Sequence, residues 1–141
     1  MRLAIASASL ALACGANAQS KKAPETDQDL RIKASMIKPN AFCLQLGRLL
    51  RKPDVSERGQ RWEKAMLDRA RDYQILPNDT GYIRERRLRV GMPWCAVYAA
   101  IGEPSHGNRT VSGRGERHQL VYESPKRYVY LEDDRLVAWQ D

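Results

Sequence analysis

The stretch "RVGMPWCAVYAAIGEP", residues 89–104, decides how this chain folds. An apolar–basic alternation runs into a glycine, and a short apolar run follows that ends at a second glycine. At first sight that order suggests a phosphate loop. Such a loop needs a longer glycine-rich nest with Lys-Ser/Thr or a second glycine pair, and neither is present. The residues fit a corner instead. Gly91 permits a sharp change of direction. Pro93 suits the first turn of a helix, where its missing N–H costs nothing. Cys95, Val97, Tyr98 and Ile101 are spaced to bury one helical side. Gly102 fits the position just past the helix end, and Pro104 forbids continuation.

Upstream of the corner, residues 84–90 (RERRLRV) alternate Leu88 and Val90 with Arg87 and Arg89, the period of a strand edge with one wet face. Asp79 is placed to cap one turn around Tyr82 and Ile83. Before that lies a predicted helical pair over residues 39–76. Asn40 caps the first helix, Phe42, Leu46, Leu49 and Leu50 form its stripe, and Pro53 ends it. Asp54 with Glu57 resembles a capping box for the second. Its buried side is Trp62, Ala65, Met66, Ala70 and Tyr73, and Pro77 closes an antiparallel pair. Residues 19–38 are mostly polar without a sustained apolar period, and read as a flexible tether.

Downstream, the chain turns into hairpins: a strand over residues 108–112, then ERHQLVYE, RYVYLE and LVAWQ, joined by short turns. Pairing across the Asp133-Asp134 turn sets Leu131 opposite Leu136 and Val129 opposite Ala138. Across the Ser-Pro-Lys turn it sets Leu120 opposite Leu131 and Tyr122 opposite Val129. One face then carries Leu120, Tyr122, Val129, Leu131, Leu136 and Ala138. The other carries Val121, Tyr128, Tyr130, Val137 and Trp139. A sheet with one side in water alternates apolar with polar, and neither of these faces is polar. Either helices cover the second face, or Tyr128, Tyr130 and Trp139 are a surface for a partner. The predicted fold class is α+β and two-layered, with the helical pair and a short helix packed on an antiparallel meander of three to four strands.

The first residues bound the compartment. Arg2 supplies a positive start, residues 3–13 are apolar, and Ala16-Asn17-Ala18 is a small-x-small cleavage pattern. The expectation is a signal peptide over residues 1–18 cut after Ala18, leaving one exported domain over residues 39–141, periplasmic or secreted. The alternative is an outer-membrane lipoprotein anchored through Cys14. The apolar run is too short to span a bilayer, and no transmembrane segment is expected elsewhere. Removal of Cys14 leaves Cys43 and Cys95, and an isolated pair in an oxidising compartment forms a disulfide. The net charge of +7 is basic. With an export signal this points away from nucleic acid and towards an acidic protein partner, an anionic lipid or an anionic envelope polymer. Arg87 and Arg89 lie in the densest basic run and are the expected contacts.

Catalytic chemistry is thinly represented. His106 and His118 lack a Cys/His/Asp cluster at ligand spacing, so no metal and no cofactor are expected. Cys95 with His118 lacks a third orienting group. Glu132, Asp133 and Asp134 sit at a hairpin turn without a calcium-loop pattern. The chain reads as no enzyme, with a small hydrolase as the remote alternative.

The series LRVGM, a short helix, IGEP, then HQLVYE and RYVYLEDDRLVAWQ resembles the SmpA/OmlA domain of the BamE-type outer-membrane assembly factors. Gly91-Met92, Ile101-Gly102-Glu103-Pro104, residues 128–131 and residues 137–140 stand at that domain's signature places. The likeness covers residues 83–141. Pro93 replaces the usual capping Ser or Thr, Asp133-Asp134 replaces Asn-Gly, and the helical pair with Cys43 is additional. The resemblance implies a two-layer α+β fold and a scaffolding or partner-binding role in the envelope, in outer-membrane assembly or maintenance. The same architecture also serves a secreted enzyme inhibitor, so a soluble periplasmic inhibitor or ligand-binding protein using the aromatic face is the alternative.

Overall fold

The structure, a computed structural model, describes residues 22–141. Thr26 opens helix α1 (Asp27–Met36) as a reciprocal capping box. Its hydroxyl accepts the Asp29 N–H at 3.1 Å, and the Asp29 carboxylate accepts the Thr26 N–H at 2.9 Å. This corrects the tether expected over residues 19–38, of which 19–21 lie outside the described residues. The helix buries only Leu30 and Ala34, a stripe too thin to show in the sequence. Its neighbours hold it. Glu25 pairs with Lys33 and Arg58, and Asp27 pairs with Arg61. Arg69 donates to the Ala34 and Ile37 carbonyls at the end of the helix, the first of which also accepts the Ile37 N–H.

Helix α2 (Pro39–Arg51) begins with Pro39 at its first position and Lys38 as its cap, so Asn40 is already inside the helix. Phe42, Cys43, Leu46, Gly47 and Leu50 form its buried side. Helix α3 (Glu57–Ala70) is capped by Ser56, which accepts the Gly59 N–H at 3.0 Å. Asp54 accepts the Ser56 N–H at 2.9 Å, a turn before the helix and no capping box. The two helices were expected to pair with each other, but α2 packs chiefly on α5 (Trp94–Ile101) and α3 on α1. Gly47 explains the first choice: a Cβ there would overlap the Ala99 carbonyl, so the two backbones touch. The Cys43–Cys95 disulfide joins the same two helices with a Cα–Cα separation of 5.2 Å.

Helix α4 (Pro77–Arg84) starts at the proline expected only to close its predecessor. Asp79 lies within its first turn, where its carboxylate accepts the Leu76 N–H at 2.9 Å. The strand expected over residues 84–90 is absent. Arg86 donates its N–H to Ile83 and Arg87 to Tyr82, at 3.2 and 2.9 Å, and Arg86 has φ of 55°. That closure usually has glycine at the left-handed position. The basic–apolar alternation imitated a strand, while the chain beyond it is set by an Arg89–Asp79 ion pair that leaves Val90 exposed. Strand-like pairing begins two residues later. Gly91 donates to the Leu136 carbonyl at 2.7 Å, Leu136 donates back to Met92 at 2.8 Å, and Pro93 bridges Arg135. Gly91 and Gly102 flank α5 as read, at φ of 88° and 93°, but Pro93 is its cap and not its first helical residue. The buried positions are Cys95, Ala96, Val97, Ala99 and Ala100, with Tyr98 and Ile101 half-buried.

Strands β1 (His106–Ser112), β2 (Gly115–Glu123), β3 (Lys126–Glu132) and β4 (Arg135–Gln140) form an antiparallel meander in sequence order. Leu120, Tyr122, Val129, Leu131 and Leu136 share one core with helical residues such as Phe42, Met66 and Val97. Helix α5 packs against β4, and Tyr122 donates its hydroxyl to the Gly102 carbonyl at 2.9 Å. The chain is therefore an α+β fold with helices on one side of a four-stranded sheet.

Two registers differ from expectation. The β2–β3 turn has only Ser124 and Pro125 between the paired Glu123 and Lys126, so Leu120 faces Val129 and Tyr122 faces Arg127. A shift of two keeps each side chain on its face. In β4, Leu136 faces Leu131 as expected, but Ala138 faces Tyr130 and Trp139 faces Val129. Val137 is an extra residue at a bulge, and it exchanges the faces of Ala138 and Trp139.

Candidate functional site

Residues directly opposite in an antiparallel sheet point to the same side, so the register builds the open face row by row. Asn108, Gln119, Tyr130 and Ala138 form one row, and His106, Val121, Tyr128 and Gln140 the next. Neither tyrosine belongs to the shared core; both are half-buried among their own neighbours. Tyr130 donates its hydroxyl to the Gln140 side chain at 3.3 Å, and Asn108 donates to Gln119 at 3.1 Å. A hollow of about 360 Å³ lies along the Tyr130 row. This surface offers two tyrosine rings, each with its hydroxyl, and three amides.

The other expected contact residues are placed differently. Trp139 is on the helix side of the sheet, outside the shared core and 38% exposed. Arg87 pairs with Glu85 and lies over the Tyr82 ring. Arg89 bonds Asp79 at 2.5 Å and also stacks on Tyr82. Asp79 is 1% exposed, so Arg89 neutralises an internal carboxylate and is not the free surface cation expected of it. Cys43 and Cys95 are both in the disulfide. Cys14 and the cleavage position at Ala18 lie outside the described residues.

Two polar groupings were not foreseen. Arg109 grips Glu116 with two hydrogen bonds of 2.6 and 2.8 Å, and His118 reaches the same carboxylate. The Arg109 hydrogen bonds, then that of His118, hold the Glu116 carboxyl down at about 2. The three residues lock β1 to β2 where the helices do not reach. The second grouping is a cleft of about 550 Å³ lined by Arg48, Arg51, Lys52 and Arg86. The first three share one end of α2 at helical spacing, which was visible in the sequence. Their meeting with Arg86 depends on how α4 ends, which was not.

Among the described residues, no three of His, Cys, Asp and Glu come together as a metal would require. No described helix is long and apolar enough to cross a membrane. The chain matches no known family model, no curated protein and no solved structure.

Proposed function

We propose that this chain is a non-catalytic contact module of a bacterial cell envelope, SmpA/OmlA-like in residues 83–141 and exported by the leader read in residues 1–18. The observation that carries this reading is the one-sided sheet. Helices cover the face of Leu120, Val129 and Leu131, while the face of Tyr128 and Tyr130 is left to its own neighbours. A protein surface is the occupant this face suits. Flat rings supply contact area at low conformational cost, and the amides and the two ring hydroxyls supply direction. The Cys43–Cys95 bond supports an oxidising compartment. The role that fits is a scaffold in outer-membrane assembly or maintenance. The hollow beside Tyr130 favours a second reading, a soluble periplasmic inhibitor that receives one protruding side chain of its target.

Fractionation with mass determination separates the two readings. A membrane-sedimenting form lipidated at Cys14 marks the scaffold, and a soluble form beginning at Gln19 marks the inhibitor. Capture of envelope proteins by the parent, Tyr128→Ala and Tyr130→Ala forms tests the face itself, with thermal melts run in parallel. Loss of a defined partner by variants that melt like the parent is expected. Full retention by both variants, or a mature protein found reduced inside the cell, would overturn the proposal.

A further inference from the structure

Where α2, α4 and α5 end together, four cations face one cleft. Arg48, Arg51 and Lys52 come from the end of α2, and Arg86 comes from the link after α4. Among the described residues, none of the four has an acidic partner, although ten Lys or Arg pairs with a carboxylate form elsewhere. No acidic residue precedes Glu25 in the sequence, so the first residues bring no carboxylate to this charge. The cleft holds one carboxylate, the exposed Glu103, beside Tyr98.

Arg51 is the anchor. Its Nη1 donates to the Ala99 carbonyl at 2.7 Å and to the Ile83 carbonyl at 3.3 Å. These carbonyls lie in the last turns of α5 and α4, the negative ends of both helix dipoles. One guanidinium is thus fixed by two helix ends, with its Nη2 and Nε making no hydrogen bond among the described residues. Burial, then the charges of Arg86 and Arg48, push the Arg51 pKa down. Arg86 adds backbone strain, since its φ of 55° belongs to a position that glycine occupies freely. The helix ends offset part of this positive charge, while the exposed Arg48, Lys52 and Arg86 are left to solvent, one of them on a strained backbone of the kind that collects where a ligand uses it.

We propose that this cleft binds a compact, multiply charged phosphate-type anion, of the pyrophosphate or phosphomonoester class. Arginine forks match phosphoryl oxygens two at a time, and lysine adds a point charge. The cleft is a recess between helix ends, which suits a compact anion better than a flat charged surface. It lies on α2 and the links around α4 and α5, so the inference does not depend on what the open sheet face binds.

The test is calorimetric titration of the oxidised protein with pyrophosphate at constant ionic strength, beside sedimentation with vesicles of phosphatidylcholine and phosphatidylglycerol in equal parts. Saturable pyrophosphate binding is expected. Arg48→Gln and Arg86→Gly each weaken it about ten- to hundred-fold, the span of one charged hydrogen bond. Arg86→Gly also melts no lower than the parent, because glycine relaxes the turn, so its loss of binding is not a loss of fold. Absence of saturable binding, or equal affinity in both variants, overturns the proposal. So does binding to vesicles without binding to pyrophosphate, which would make the cluster a membrane contact.

Discussion

Removing Arg89 and removing Asp79 are expected to have very different consequences, although the two side chains form one ion pair. Asp79 is 1% exposed and its carboxylate has two partners, the Leu76 N–H at 2.9 Å and the Arg89 guanidinium at 2.5 Å. The Arg89 side chain is 38% exposed and open to solvent on one side. Arg89→Met fills the space but leaves a buried carboxylate with one neutral donor. Breaking an internal pair in this way costs about 3 kcal/mol, the lower part of the usual range because one end is already wet. Asp79→Asn still accepts the Leu76 N–H, and Arg89 rehydrates through its open side, so the loss is about 1 kcal/mol. The double variant carries no stranded charge and should also cost about 1 kcal/mol, which makes the coupling about 3 kcal/mol. Urea unfolding followed by tryptophan fluorescence measures all four corners of this cycle. Equal losses for Asp79→Asn and Arg89→Met, or a double variant as unstable as Arg89→Met, would show that this pair does not order residues 87–90.

Two further outcomes follow from other parts of the fold. The Cys43–Cys95 bond spans a sequence separation of 52, so replacing both cysteines with alanine should lower stability by about 4 kcal/mol in the chain-entropy account. The urea slope should also steepen as the unfolded chain expands, and an unchanged midpoint after reduction would refute this. Glu116 has its carboxyl held near 2 in the folded chain, against an ordinary value of 4.5. Its contribution is therefore complete above about pH 4.5 and lost as pH falls towards 2. Amide signals of β1 and β2 should loosen across that window, and Arg109→Gln, which leaves only the His118 contact, should weaken the effect and move it to higher pH; the same acid response in both proteins would refute it.

Local chemistry was legible and long-range packing was not. The corner from Gly91 to Pro104 followed from turn and cap preferences that act over a few residues, and it stands in the structure. The meander was readable from its alternation, and so was the placing of Tyr128 and Tyr130 opposite the core face. The faces of Ala138 and Trp139 were misread because one extra residue at Val137 reverses everything after it, and no composition signal marks a bulge. Helix α1 was missed because its order comes from Glu25, Asp27 and partners on α3, more than 30 positions away. The role of Arg89 was missed for a similar reason. A basic residue beside a leucine looks like a wet strand edge until the internal carboxylate ten positions earlier is seen. The cleft at Arg51 escaped because three helix ends must meet before its charges do.

The bond between Cys43 and Cys95 also determines how the molecule bears tension. A pull on the first described residues loads α1 first, whose anchors are surface ion pairs, the reach of Arg69 and the two buried side chains of Leu30 and Ala34. These release one after another, as a strip peels. Peeling stops at Cys43, where a covalent link passes the force directly into α5 at the centre of the body. The segment before Cys43 is a mechanical fuse, and the meander with its open face stays folded behind it.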